Sequence, residues 1–233
     1  MGKGFDKYAS AYDSWFLDNR NVLYNEVELV AQVLRDAGRI LSVGCGSGLF
    51  ETILAREYGI RIDQGIEPSE GMAEIARRRG LNVTLATAEQ ADFGQGDYDT
   101  LLFNGTPSYI DDLELVIRKA YEALNTGGRI VLIDVPKESS YGTLYNLAKA
   151  VGSWDHPLLE GVYPPNPYPI ELVKQACWRT TDEKIRLLEG AGFAGLEFAQ
   201  TLTAHPLYSD RQREAPSPGY DKGDYVAITA YKR

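Results

Sequence analysis

The segment Val43-Gly44-Cys45-Gly46-Ser47-Gly48 sets three glycines at alternate positions directly after the apolar run Ile40-Leu41-Ser42-Val43. Glycine lets a backbone turn sharply and approach a ligand with no Cβ in the way. About twenty residues on, Glu67 ends the next apolar run, where a carboxylate can accept hydrogen bonds from both hydroxyls of a ribose. Either feature alone would fit an ordinary turn or a solvated acid. Together, at this spacing, they describe a nucleoside site on a strand-turn-helix unit. A dinucleotide fingerprint carries glycine at its first, third and sixth positions, whereas here the sixth is Leu49 and the third glycine is Gly48. That departure disfavours NAD or FAD.

Other reactive side chains are less well placed. His156 and His205 each precede a proline and lie far from the glycine loop in sequence, so they read as loop or packing histidines rather than bases. Cys45 lies where a helix N-terminus could activate a thiol, but it reads as a small buried filler. No Cys/His pair has ligand spacing, and no metal is expected.

The elements around the loop follow from periodicity. Leu23, Val27, Val30, Val33 and Leu34 recur at helical spacing between Val22 and Ala37, and Gly38 ends that helix. Strand 40–43 leads through the glycine loop to a helix over 49–58. Then come strand 60–66, Ser69 as N-cap of a helix reaching Gly80, strand 81–86, strand 98–103, a helix over 111–124, a turn at Gly127-Gly128 and strand 129–135. Strands alternating with helices imply a parallel sheet covered on both faces. The rhythm breaks over 136–180, a stretch rich in Tyr, Trp and Pro that reads as an insertion lying over the sheet. Thr181-Asp182-Glu183 open a last helix, and the strands 196–204 and 224–231 that follow are expected to pair antiparallel.

The 233 residues suit one α/β domain. Twenty-four basic against 33 acidic side chains give a formal charge of −9, which repels phosphate backbones and offers no general attraction to anionic lipid. Neither nucleic acid nor membrane is therefore expected as a partner. With only Cys45 and Cys177, no apolar signal core and no membrane-spanning run, a cytoplasmic setting is expected.

Five segments in order, ILSVGCGSGLFE, GIEPSEGM, TLATAEQADF, YDTLLFNGTPSYI and LNTGGRIVLIDVP, resemble the successive motifs of class I S-adenosylmethionine (SAM)-dependent methyltransferases over residues 39–136. The resemblance implies a doubly wound, seven-stranded, mostly parallel sheet of order 3-2-1-4-5-7-6 with strand 7 antiparallel, and S-adenosyl-L-methionine as cofactor with S-adenosyl-L-homocysteine (SAH) as product. By position, it sets Gly44, Gly46 and Gly48 beneath the methionine part and Glu67 on the ribose. Pro68, Ser69 and Met72 would border the adenine, and Ala88 and Glu89 its edge, with Thr87 where many relatives carry aspartate. Asn104 and Gly105 would face the methionyl group, and Tyr8, in FDKYASAYDSWF, would close over the cofactor as part of an N-terminal cap over 1–20.

Methyl transfer from a sulfonium is an in-line displacement that rewards alignment and water exclusion, so no catalytic residue is obligatory. The expected acceptor is a small molecule held under the 136–180 insertion, where Tyr141, Tyr145, Trp154, Tyr163, Tyr168 and Trp178 would line its pocket or form a small core. Protein methylation, a catalytically silent SAM-binding module and a nucleotide-dependent oxidoreductase are the alternative readings.

Overall fold

The computed structural model describes residues 3–6 and 8–233. Five parallel strands, β1 (Ile40–Val43), β2 (Gln64–Glu67), β3 (Asn82–Leu85), β4 (Tyr98–Asn104) and β5 (Leu124–Asp134), form the N-terminal part of one sheet. β6 (Phe193–Thr201), β7 (Ser217–Pro218) and β8 (Tyr225–Lys232) complete it in the order β3-β2-β1-β4-β5-β8-β6-β7. β8 runs antiparallel to both neighbours, β5 and β6. The expected antiparallel final pair and the 3-2-1-4-5-7-6 order are present, with one correction. The loop between the last two long strands adds a two-residue edge strand, β7, held on Ala199 and Gln200 of β6, so the sheet has eight strands.

Period-two alternation along the strands divides the core. Leu41, Val43, Leu101, Phe103, Ile130 and Leu132 face one layer, with α6 (Leu113–Ala123) and α9 (Thr181–Gly190) packed on it. Ile40, Leu102, Val131 and Ile133 face the other, against α2 (Ala9–Asp18), α3 (Arg20–Val33) and α4 (Leu49–Ile53). Helix ends carry the chemistry their sequences suggest. Ser69 Oγ accepts from Met72 N at the start of α5 (Glu70–Arg78), and Thr180 and Glu183 form a reciprocal capping box on α9.

Several boundaries differ from the periodicity reading; the strand expected over 196–204 is β6, three residues earlier at Phe193–Thr201. The expected helix over 49–58 is α4 followed by one π-helical turn, Leu54–Tyr58, which closes on Gly59 at φ +69°. The apolar run 60–66 contributes only its end to β2. β5 begins at Leu124, so Gly127 and Gly128 lie inside the strand, and a register shift opposite Tyr98 and Thr100 absorbs the φ of +80° at Gly127.

The 136–180 segment folds as α7 (Ser140–Val151), α8 (Ile170–Val173) and connecting turns around a cluster that includes Tyr141, Leu144, Trp154, Leu159 and Val173. Ahead of α2 lies the short helix α1 (Lys3–Asp6). Among the described residues no helix is long and apolar enough to cross a membrane.

Candidate active site

The glycine loop is pinned to the adjoining strand, with Gly44 N and Cys45 N donating to the Ile66 carbonyl at 2.7 and 3.1 Å. Its three glycines, all at positive φ, serve different ends. A Cβ on Gly44 would stand 2.4 Å from the Thr106 side chain, and one on Gly48 would press on Leu81 and Ala76 at 3.3–3.4 Å. A Cβ on Gly46 would meet nothing within 4 Å, because Gly46 borders open space. Gly44 and Gly48 are thus held by packing, and Gly46 leaves a cradle that a ligand can fill.

Glu67 closes the cradle from the end of β2. Its Oε2 accepts from Gly46 N at 2.9 Å and its Oε1 from Ser69 N at 2.8 Å, so the carboxylate braces the loop while each oxygen keeps a lone pair for another donor. Burial pushes this carboxyl up to about 7, against the two backbone donors that pull it down. Behind the loop, buried Glu51 accepts from Ser42 Oγ at 2.7 Å through Oε1, while its Oε2 has no partner among the described residues. Burial raises the Glu51 carboxyl as well.

A groove runs along this loop. Gly44, Gly46, Glu67, Pro68, Met72, Ala88, Glu89, Asn104 and Gly105 line it, as their positions in the sequence suggest. Gly48, Ser69 and Tyr8 do not. Gly48 is the N-cap of α4, and Ser69 is fully buried, capping α5 and orienting Glu67. Tyr8 sits at the turn ahead of α2, and Phe5 and Tyr12, one on each side of it in sequence, line the groove instead.

Polar clamps that sequence reasoning missed seat the N-terminal helices. Asp6 accepts from Ser69 Oγ at 2.6 Å, and Asp13 accepts from Ser47 Oγ at 2.5 Å while pairing with Arg79 at 2.6 Å. On the far side, Lys119 Nζ donates to the carbonyls of Ala88 and Glu89 at 2.9 and 2.8 Å, fixing the loop after β3. Glu89 Oε1 accepts from Asp111 N at 3.0 Å. Although burial raises its carboxyl, hydrogen bonds outweigh that and leave it below the usual range.

Beyond Asn104 and Gly105 the groove adjoins an aromatic chamber, which shares Tyr12, Tyr109 and Tyr168 with it. The six aromatics of the insertion divide evenly. Tyr145, Tyr168 and Trp178 line the chamber, whereas Tyr141, Trp154 and Tyr163 pack the insertion's own core, Tyr141 with its hydroxyl 2.6 Å from Ser209 Oγ. Two carboxylates, Glu26 of α3 and Asp134 at the end of β5, also face the chamber. Asp134 accepts from Ser108 Oγ at 2.6 Å and stands 3.8 Å from the buried Lys184 ammonium. Glu26 escaped the sequence reading. Its signal was a charged residue on the Leu23-Val27-Val30 stripe of a helix whose neighbours are all buried.

Cys45 is buried against Gly65, and burial holds its thiol far above the usual range, as a filler requires. His156 and His205 each accept from an amide two residues on, at the starts of short 3₁₀ turns, and neither lines the groove or the chamber. Among the described residues no group of three or more His, Cys, Asp or Glu is arranged to hold a metal.

Comparison with known proteins agrees with this geometry. A family model described as a methyltransferase domain matches residues 17–197. A SAM-dependent methyltransferase from Thermotoga maritima, a possible histamine N-methyltransferase, is 31% identical, covers 100% of both chains and superposes with a TM-score of 0.84. An uncharacterised protein of Methanocaldococcus jannaschii is 28% identical over 98% of both chains. Trans-aconitate 2-methyltransferase of Variovorax paradoxus is 28% identical over 56% of this chain and 52% of its own. The chain belongs to the methyltransferase-domain family and is a SAM-dependent methyltransferase, an enzyme whose cofactor is S-adenosylmethionine.

Proposed function

We propose that this enzyme methylates a small molecule enclosed in the aromatic chamber. The observation that carries the reading is the junction of two cavities at Asn104 and Gly105, one on the glycine loop and one walled by the insertion and the N-terminal helices. A concave chamber walled by aromatic side chains suits a metabolite better than it suits a protein surface. The family supports the same reading through relatives named for a small acid, trans-aconitate, and for a possible small amine, histamine.

In this reading the whole chain is one methyltransferase domain, with residues 1–20 as a cap and 136–180 as a lid. Glu67 holds the ribose hydroxyls, and Gly46 passes beneath the methionyl part. The unpaired Glu51 oxygen behind the loop and the open space at Gly46 both fit such a ligand. Pro68, Met72, Ala88 and Glu89 border the base, and Asn104 and Gly105 the sulfonium. Bound SAM supplies an electrophilic methyl carbon. The protein aligns the acceptor with it and keeps water out, the two contributions such a displacement rewards.

The test is transfer of labelled methyl from SAM to components of a small-molecule extract, compared with transfer to the protein fraction. Label confined to protein would reverse the assignment.

A further inference from the structure

Asp134 and Glu26 are the two carboxylates of the chamber, and only one of them is answered by protein. Asp134 has the Ser108 hydroxyl, the Val135 amide and the Lys184 ammonium. Glu26, 7% exposed, makes no hydrogen bond or ion pair among the described residues, and none of the chamber's lining residues is Lys, Arg or His. An isolated carboxylate taken out of water is costly, and a neutral side chain of the same shape would pack there at less cost. Around Glu26 stand Trp15, Trp178, Phe16 and the chamber tyrosines, whose ring faces attract cations.

We propose that Glu26 and these rings receive the ammonium group of a small amine with an apolar or aromatic body, and that the Glu26 carboxylate takes the proton which must leave before nitrogen can be methylated. This rests on the small-molecule reading above and names its acceptor class. A negatively charged acceptor would find no Lys, Arg or His in the chamber to pair with it.

The electrostatics of the chamber suit the proton transfer. Burial lifts the Glu26 carboxyl to about 8, and the same desolvation lowers an entering ammonium, so the two approach a match. The other titratable groups facing Glu26 do not compete. Tyr12 on α2, Tyr141 and Tyr145 on α7, Tyr168 on the insertion and Tyr225 on β8 are all raised by burial and stay neutral, and burial raises Asp134 too, against the pull of Lys184. With its proton on Glu26, the amine nitrogen bonds to the methyl carbon as the carbon–sulfur bond breaks. The electron pair of that bond stays on sulfur, and the products are a methylated ammonium and neutral SAH.

The test incubates the full-length protein with SAM tritiated in the methyl group and a metabolite extract of the source organism, separates the products from unreacted SAM, itself a cation, by reversed-phase chromatography, and then passes them over a cation exchanger at neutral pH. Label is expected in a retained, cationic product. Glu26→Gln should lower that transfer about 100-fold or more, as loss of a positioned base does, while SAH affinity by calorimetry stays within about twofold and reports an intact fold. A second readout needs no turnover. Infrared titration of the ligand-free protein should show a protonated-carboxyl band that disappears as pH rises through about 8 and is missing in Glu26→Gln. Label in an unretained product would keep the small-molecule reading and overturn the amine. Absence of transfer from a protein that binds SAH would overturn the small-molecule reading and this inference with it. Wild-type transfer by Glu26→Gln, or identical infrared titrations, would remove Glu26 from the reaction.

Discussion

Trp15 on the second helix donates its indole N–H to the Asn166 carbonyl at 3.2 Å and rests edge-on against Tyr168, their ring centroids 5.0 Å apart. Through this pair the N-terminal helices and the insertion meet over the site, although 151 residues separate the bonded partners. The indole contact is the latch of the proposed cover. Trp15→Ala should raise hydrogen exchange in both 5–16 and 136–180, with little change in 129–135, and should speed SAH release about tenfold, the effect of losing roughly 1–1.5 kcal/mol of hydrogen bond and ring contact. In the unaltered protein SAH should protect both segments. Exchange that is the same with and without SAH would reduce these aromatics to ordinary packing.

Replacing Glu67 separates bracing from binding. Glu67→Gln keeps an acceptor for one of the Gly46 and Ser69 amides, sets its NH2 against the other and loses the charge, and should cost at least about 1.5–3 kcal/mol of SAH affinity. The unaltered enzyme should show a pH dependence with a definite sign. Burial places the free Glu67 carboxyl at about 7, so SAH affinity should rise as pH rises through that value and level off above it. Calorimetry from pH 5.5 to 8.5 checks both, and in Glu67→Gln the rise should vanish.

The glycines of the loop should respond in opposite ways to alanine. Gly46→Ala adds a methyl where the protein leaves space, so it should fold with a loss of about 1–2 kcal/mol from its positive φ, yet bind SAH weakly because the methyl enters the cradle. Gly44→Ala drives a methyl into Thr106 and should mainly lower the melting temperature. Paired thermal and binding measurements distinguish the two, and equal binding losses at equal stability would refute the division.

Lys184→Met should be among the most destabilising single changes in the layer of α6 and α9. Lys184 is 1% exposed and Asp134 4%, and removing one partner strands the other charge, at a cost of about 3–5 kcal/mol. Asp134 is already raised by burial, so the deficit should shrink as pH falls and it takes up a proton. Urea unfolding at two pH values measures this.

The parallel strands, the glycine loop, Glu67 and most of the groove were legible in the chain because each leaves a local mark: an apolar run, glycines at fixed spacing, an acid at the next strand end. Tyr8 was read where Phe5 and Tyr12 line the groove, since a short aromatic-rich segment specifies no helical phase until its clamps at Asp6 and Asp13 are known. Glu26 and Asp134 could not be joined from sequence, because what brings them together is the packing of α3 on β6 and β8, the latter being the antiparallel neighbour of β5. The division of the insertion's aromatics into three that line and three that pack is likewise a property of tertiary contacts. β7 is two residues long and leaves no periodic trace at all.

The last long strand to be synthesised, β8, is hydrogen-bonded on both sides, to β5 through six register pairs from Arg129 to Asp134 and to β6 from Phe193 to Thr201. Until residues 225–232 have left the ribosome, the growing chain holds two unpaired sheet edges with a strand-wide gap between them. The first five strands can pair during translation, but the layer that carries Val226 and Ile228 into the core cannot close until β8 has been made. A chain truncated ahead of β8 should therefore yield aggregation-prone protein rather than a weakened enzyme.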